Sequence, residues 1–326
     1  MSIFDEILSC KDCPDTDVIF IETDEGKATM AHLESAHPGV SGDAFVTAKR
    51  KNDRDRIQNL YDKAKDYLDV DFSSKFLREF EARTWEMAVY QYLVENGITV
   101  NKNVQTEGPD FDTSIGYVEC KVVKRGDSHN AVPVMQAATY NEETGTFDDV
   151  DAQPVPMNEI KLRFSSAYAE KTRKYEGYYN KDWYDKEKPK LIAINWYCGG
   201  TALVANPMNV STNAVLQVLF ATGYPKLVIN TKDNSITSSE LTRELTLTNA
   251  KGASFDVGYF AKPYDSEESR IDGIIHTNSW PGLYYPERFM AVNNAFSNKF
   301  DIKQVHIGGR AFCKIEEDGF SVKMEH

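Results

Sequence analysis

Pro109-Asp110-Phe111-Asp112-Thr113-Ser114-Ile115-Gly116-Tyr117-Val118-Glu119-Cys120-Lys121 carries more structural information than any other part of this chain. Thr113 to Gly116 is turn-forming, and the residues on either side fit two short antiparallel strands joined by that turn. Side chains alternate along a strand, so Glu119 and Lys121 share one face and Cys120 takes the other. Folding back at the turn brings Asp110 alongside Glu119. Two carboxylates and an ammonium then meet at one sheet edge. Such oxygen donors suit Mg²⁺, which keeps several waters and accepts one or two acidic ligands. An ion held there can polarise a phosphoryl oxygen and lower the pKa of a bound water. A neighbouring lysine can position that water and balance charge on the phosphate.

Upstream, Phe76 to Asn96 predicts a helix with a wide apolar face, stopped by Asn96-Gly97, and Ile98-Thr99-Val100 starts a strand. Helical geometry puts Glu79, Arg83 and Glu86 near one face and Glu81 on a different side. Before that helix, residues 1–75 form an irregular lead-in. It offers a short strand over Val18 to Ile21 and a charged helix from Phe45 to Leu68, with Ile57, Leu60, Ala64 and Leu68 at helical spacing. Downstream, Lys124 to Pro156 is polar and turn-rich, as an inserted loop would be. A second helix is expected from Asn158 to Tyr179, with Ile160, Phe164, Ala167, Lys171 and Tyr175 in register. A buried strand follows over Lys190 to Trp196. Pro207 to Thr222 reads as helix, Leu227 to Asn230 as strand, and residues 231–326 as mixed strands and loops.

Among 326 residues, 50 acidic against 37 basic side chains give a net charge of −13. That excludes a protein that coats nucleic acid by bulk charge, so any such role needs a local basic surface. One exists: residues 154–190 hold nine Lys or Arg against six Asp or Glu, interleaved with Tyr168, Tyr175, Tyr178 and Tyr179. Basic groups can follow a phosphate backbone while exposed tyrosines stack on unpaired bases. No apolar run nears the ~20 residues of a membrane span. The N-terminus lacks the features of a signal peptide, and five cysteines make no secreted scaffold. A soluble, cytoplasmic protein is expected. Cys10-X-X-Cys13 has no second half at zinc-ligand spacing, and the six histidines form no metal or catalytic pattern. There is no phosphate-binding loop of the ATPase type.

Pro109-Asp110 followed by Glu119-Cys120-Lys121, with a helix containing Glu86 upstream, resembles the signature of the PD-(D/E)XK nuclease superfamily. The resemblance covers roughly residues 76–196. It implies an α/β restriction-endonuclease-like core with a central mixed sheet flanked by helices, in the order α-β-β-β-α-β. Residues 1–75 would be an N-terminal extension and 197–326 a C-terminal α/β extension packed on the core. The implied activity is Mg²⁺-dependent phosphodiester hydrolysis, with Mn²⁺ as a substitute and DNA preferred to RNA. Asp110 and Glu119 would hold the metal with the Cys120 backbone carbonyl, Glu86 would complete the shell, and Lys121 would position water. Glu79 and Glu81 are runners-up to Glu86, and Asp112 stands behind Asp110. Lys124, Arg125, Arg163 and Lys171 are the expected phosphate contacts. The acidic balance leaves room for a homodimer or a protein partner. The alternative is a catalytically silent nucleic-acid- or protein-binding module on the same fold.

Overall fold

A computed structural model describes residues 55–69, 71–76, 79–101, 107–124, 131–132, 140–141, 146–147, 156–197, 213–233, 235–249, 251–261, 266–267, 269–279, 284–316 and 319–325. Helix α1 covers 55–64 and buries Ile57, Leu60 and Ala64, the spacing that marked its apolar side. Helix α2 runs Phe80–Glu95. It starts later than the sequence pattern suggests, because Phe76 belongs to the turn after a separate short helix, Phe72–Lys75. The rings of Phe72, Phe76 and Phe80 pack in a row all the same. Their four-residue spacing imitates one continuous helix.

The end of α2 is closed by the Gly97 N–H on the Val94 carbonyl (2.9 Å) and the Ile98 N–H on the Leu93 carbonyl (3.0 Å). Gly97 takes the left-handed φ of +73° that this cap needs. Strands β1 (Val100–Asn101), β2 (Phe111–Thr113) and β3 (Gly116–Val122) follow. Helix α3 (Met157–Tyr178) then crosses back to β4 (Lys190–Asn195). After α4 (Ala214–Phe220) come β5 (Gly273–Thr277), β6 (Met290–Asn293), β7 (Gly309–Glu316) and β8 (Gly319–Glu325).

These eight strands form one mixed sheet in the order β1 to β8. β3, β4 and β5 are mutually parallel, β6 and β7 are parallel, and the other neighbours are antiparallel. The C-terminal part thus extends the same sheet as the first four strands. Small hairpins at 222–243 and 246–256 lie outside it.

The protein is α/β, with helices on both faces of the sheet. α1 and α2 pack on the face carrying Val118, Cys120, Val122, Leu191, Ala193 and Ile275. α3 and α4 pack on the face of Tyr117, Ile192, Ile194, Ile274 and Val292. Trp85, Tyr92 and Asn96 fix α2 in place. The Trp85 indole donates to the Ala193 carbonyl (3.0 Å), and Trp85 and Tyr92 both stack on Phe289. The Tyr92 hydroxyl donates to the Ile307 carbonyl (2.7 Å), while Asn96 Oδ1 accepts from the backbone N–H groups of His306 and Ile307. On the other face, the Tyr175 hydroxyl sits 2.9 and 2.7 Å from the carbonyls of Tyr117 and Leu191, pinning α3 across β3 and β4.

Gly116 opens β3 with φ +136°, and a Cβ there would stand 2.4 Å from the Pro189 carbonyl oxygen. Only glycine lets the Tyr117 N–H reach that carbonyl at 2.8 Å. This contact sets how β3 and β4 start together. No described helix is long and apolar enough to cross a membrane.

Candidate active site

The β2–β3 register pairs Phe111 with Val118, and continuing it one step sets Asp110 opposite Glu119. Asp110 lies just outside the ladder, and its carboxylate replaces the missing backbone partner: Oδ2 accepts from the Cys120 N–H at 2.6 Å. Glu119 is fully buried under α3. A lone carboxylate there would cost several kcal/mol, so its partners matter. Its Oε2 accepts from Lys171 Nζ (2.5 Å) and Lys174 Nζ (2.8 Å), and its Oε1 from the Tyr178 hydroxyl (2.8 Å). Lys171, Lys174 and Tyr178 lie three and four positions apart and so line one stripe of α3. Lys171 Nζ is also 3.5 Å from Asp110 Oδ2, and Lys174 Nζ is 4.0 Å from Asp110 Oδ1. Both ammonium nitrogens therefore face both carboxylates, Lys171 from within and Lys174 from the more exposed side.

A second arm comes from α2 on the opposite side of the sheet edge. The Arg83 guanidinium donates to Glu79 (2.7 Å) and to Glu86 (3.0 Å), the three residues that helical geometry groups together. Burial, followed by the charge of Asp110, pushes the Glu86 carboxyl up to about 8. Burial and then Asp110 also raise Glu119 and Asp69. For Asp110 itself burial acts upward, but Lys171, Lys174 and the Cys120 N–H outweigh it and hold the group below its ordinary value. Burial opposes the charges of Lys171 and Lys174, yet Asp110 and Glu119 raise both ammonium groups. The Cys120 thiol, on the α2 face, is pushed far up by burial, so it is no nucleophile in this setting.

The other expected residues lie apart from this cluster. Lys121 shares the Glu119 face, but its Nζ is held by both carboxylate oxygens of Glu170, at 2.6 and 2.7 Å, in a solvent-exposed pair. Asp112 pairs with Lys188 (2.5 Å). Glu79 serves Arg83, and Glu81 is raised by burial with Lys124 acting against it. Lys124 is exposed, Arg163 is half-buried on α3, and Arg125 lies outside the described residues. The Cys120 residue sits mid-strand, paired with Ala193 in the parallel ladder. Sequence reasoning named Lys171 only as a phosphate contact, and it did not place Lys174 or Tyr178 at the carboxylates. Their spacing along one helix stripe was the available signal.

Among the described residues no three His, Cys, Asp or Glu side chains gather closely enough to hold a metal ion. The Asp110–Glu119 pair nevertheless fits a hard divalent cation. Two oxygen-donor side chains at one sheet edge already share the positive charges of Lys171 and Lys174, and Mg²⁺ commonly takes one or two carboxylates and keeps its waters. No protein-family model, curated protein or solved structure matches this chain.

Proposed function

We propose that the chain is a metal-dependent nuclease of the PD-(D/E)XK type that hydrolyses phosphodiester bonds, with DNA preferred to RNA. The observation that carries this is the convergence of Asp110 and Glu119 on one ammonium nitrogen, from two antiparallel strands joined by the Thr113–Gly116 turn. The order α2-β1-β2-β3-α3-β4 supports a restriction-endonuclease-like core around them. A bound Mg²⁺, or Mn²⁺ in its place, would supply Lewis acidity toward a phosphoryl oxygen and a more acidic water. Asp110 and Glu119 would hold it. Asp110 is oriented by the Cys120 N–H, and Glu119 by Tyr178. Lys174, with a side chain 41% exposed, stands where the site meets solvent and can approach a phosphate, and Lys121 would join it only on leaving Glu170.

A second reading is a catalytically silent binding module on the same scaffold. It is favoured by one observation: both Glu119 oxygens are already satisfied by protein groups while Lys121 is engaged by Glu170. The two separate on incubation with plasmid, single-stranded DNA and RNA in Mg²⁺, Mn²⁺ or EDTA. Cleavage that EDTA abolishes, and that is lost in Glu119→Ala and Lys121→Ala, is the expected result. Metal binding without cleavage of any of these would leave the silent module.

A further inference from the structure

We propose that Lys171 is the built-in stand-in for the divalent ion: with Lys174 beside it, its ammonium fills the place between Asp110 and Glu119 where a metal would bind, and metal entry would expel both ammonium groups. This rests on the metal-dependent reading above. Lys171 Nζ is 2.5 Å from Glu119 Oε2 and 3.5 Å from Asp110 Oδ2, so it bridges the two carboxylates. Its side chain is only 8% exposed, against 41% for Lys174, which touches the same Glu119 oxygen from the outer side. The helix beneath is anchored by the Tyr175 hydroxyl to the carbonyls of Tyr117 and Leu191. Exchange therefore falls to the flexible lysine stems and leaves the backbone in place.

Charge balance gives the exchange its logic. Asp110 and Glu119 carry two negative charges, and Lys171 and Lys174 offset them with two positive ones. Adding a divalent ion on top would leave the site strongly positive in a poorly solvated place. Replacing both ammonium groups by one divalent ion keeps it neutral. The displaced ammonium groups then face outward, where an anionic phosphate backbone can take them up. Metal and polyanion binding reinforce each other as a result, and the metal-free protein keeps its buried acids compensated.

Isothermal titration of the full chain with MnCl₂ at fixed pH tests this, on wild type, Lys171→Met, Lys174→Met and a control, Lys181→Met. Lys181 is an exposed residue paired with Glu107. Removing the competing ammonium from Lys171 is expected to tighten Mn²⁺ binding at least about tenfold, since close charge pairs of this kind are strong. Lys174→Met tightens it by a smaller factor, and Lys181→Met leaves it unchanged. In thermal unfolding, Mn²⁺ should raise the melting point of Lys171→Met more than that of wild type. Should Lys171→Met fail to fold, the more exposed Lys174→Met decides the matter. Wild-type Mn²⁺ binding that neither lysine variant exceeds overturns the stand-in role alone. A complete lack of Mn²⁺ binding in every folded form overturns the nuclease reading, and this inference with it.

Discussion

The two faces of strand β3 do opposite work. Toward α2 it presents Val118, Cys120 and Val122, which join Trp85, Ala88 and Leu93 in an apolar layer. Toward α3 it presents Tyr117 and Glu119, and Glu119 is surrounded by two lysines and a tyrosine hydroxyl. Apolar contacts carry no charge that pH could titrate or dilute salt and added ions could screen. The charged layer depends on all three. A scaffold that is unconditional on one side can hold a conditional site on the other, because losing the charges does not dissolve the sheet.

The sharpest way to break this contrast is Glu119→Ala. It leaves Lys171 buried without its nearest counter-charge, and removing one partner of a buried pair costs about 3–5 kcal/mol. Urea denaturation should show that loss, and cleavage should vanish. Trp85→Ala, on the apolar side, should cost a similar ~3–5 kcal/mol through the cavity it leaves. Its effect differs in kind: metal affinity and cleavage per folded molecule should stay near wild type.

A third effect concerns acid and is smaller over any single pH unit. His276 is fully buried on the α3/α4 face, with Nδ1 accepting from the Trp196 indole at 3.2 Å, and burial lowers it to about 3 from 6.5. Between those two values the unfolded chain takes up a proton that the folded protein refuses. Stability is therefore full above pH 6.5 and drains as pH falls toward 3, by up to ~1.4 kcal/mol per pH unit from this group. Melting curves of His276→Leu should decline less steeply over that window. Smallest of all, Glu170→Ala removes an exposed partner of Lys121 and should change stability by less than ~1 kcal/mol. An increase in cleavage in that variant would show that Glu170 restrains Lys121.

Local chemistry made much of this arrangement readable in advance. The Thr113–Gly116 turn, the helix ended by Asn96-Gly97, and the α3 register of Ile160, Phe164, Ala167, Lys171 and Tyr175 all follow from short-range rules. The pairing of Asp110 with Glu119 also follows, because a hairpin register is set by its own turn. What escaped was the choice among competing lysines. Lys121 lies on the Glu119 strand face, but a flexible four-carbon stem chooses its partner by what surrounds it, and Glu170 on α3 is within reach. Lys174 and Tyr178 are set at the carboxylates by how α3 lies across β3, which no local pattern encodes. Likewise the four C-terminal strands read only as a mixture, since their order in the sheet depends on contacts between distant segments.

Asn96 joins the two halves of the chain at one point. Its carboxamide closes the end of α2 by donating to Tyr92 and at the same time receives the backbone of His306 and Ile307, two hundred residues onward. Together with the parallel seam between β4 and β5, this makes the molecule a poor candidate for division. A break in the connection between those strands would give two fragments, each with an open row of hydrogen-bonding groups along its new border. Such fragments would stick to one another, or to copies of themselves, before either could serve as an independent unit.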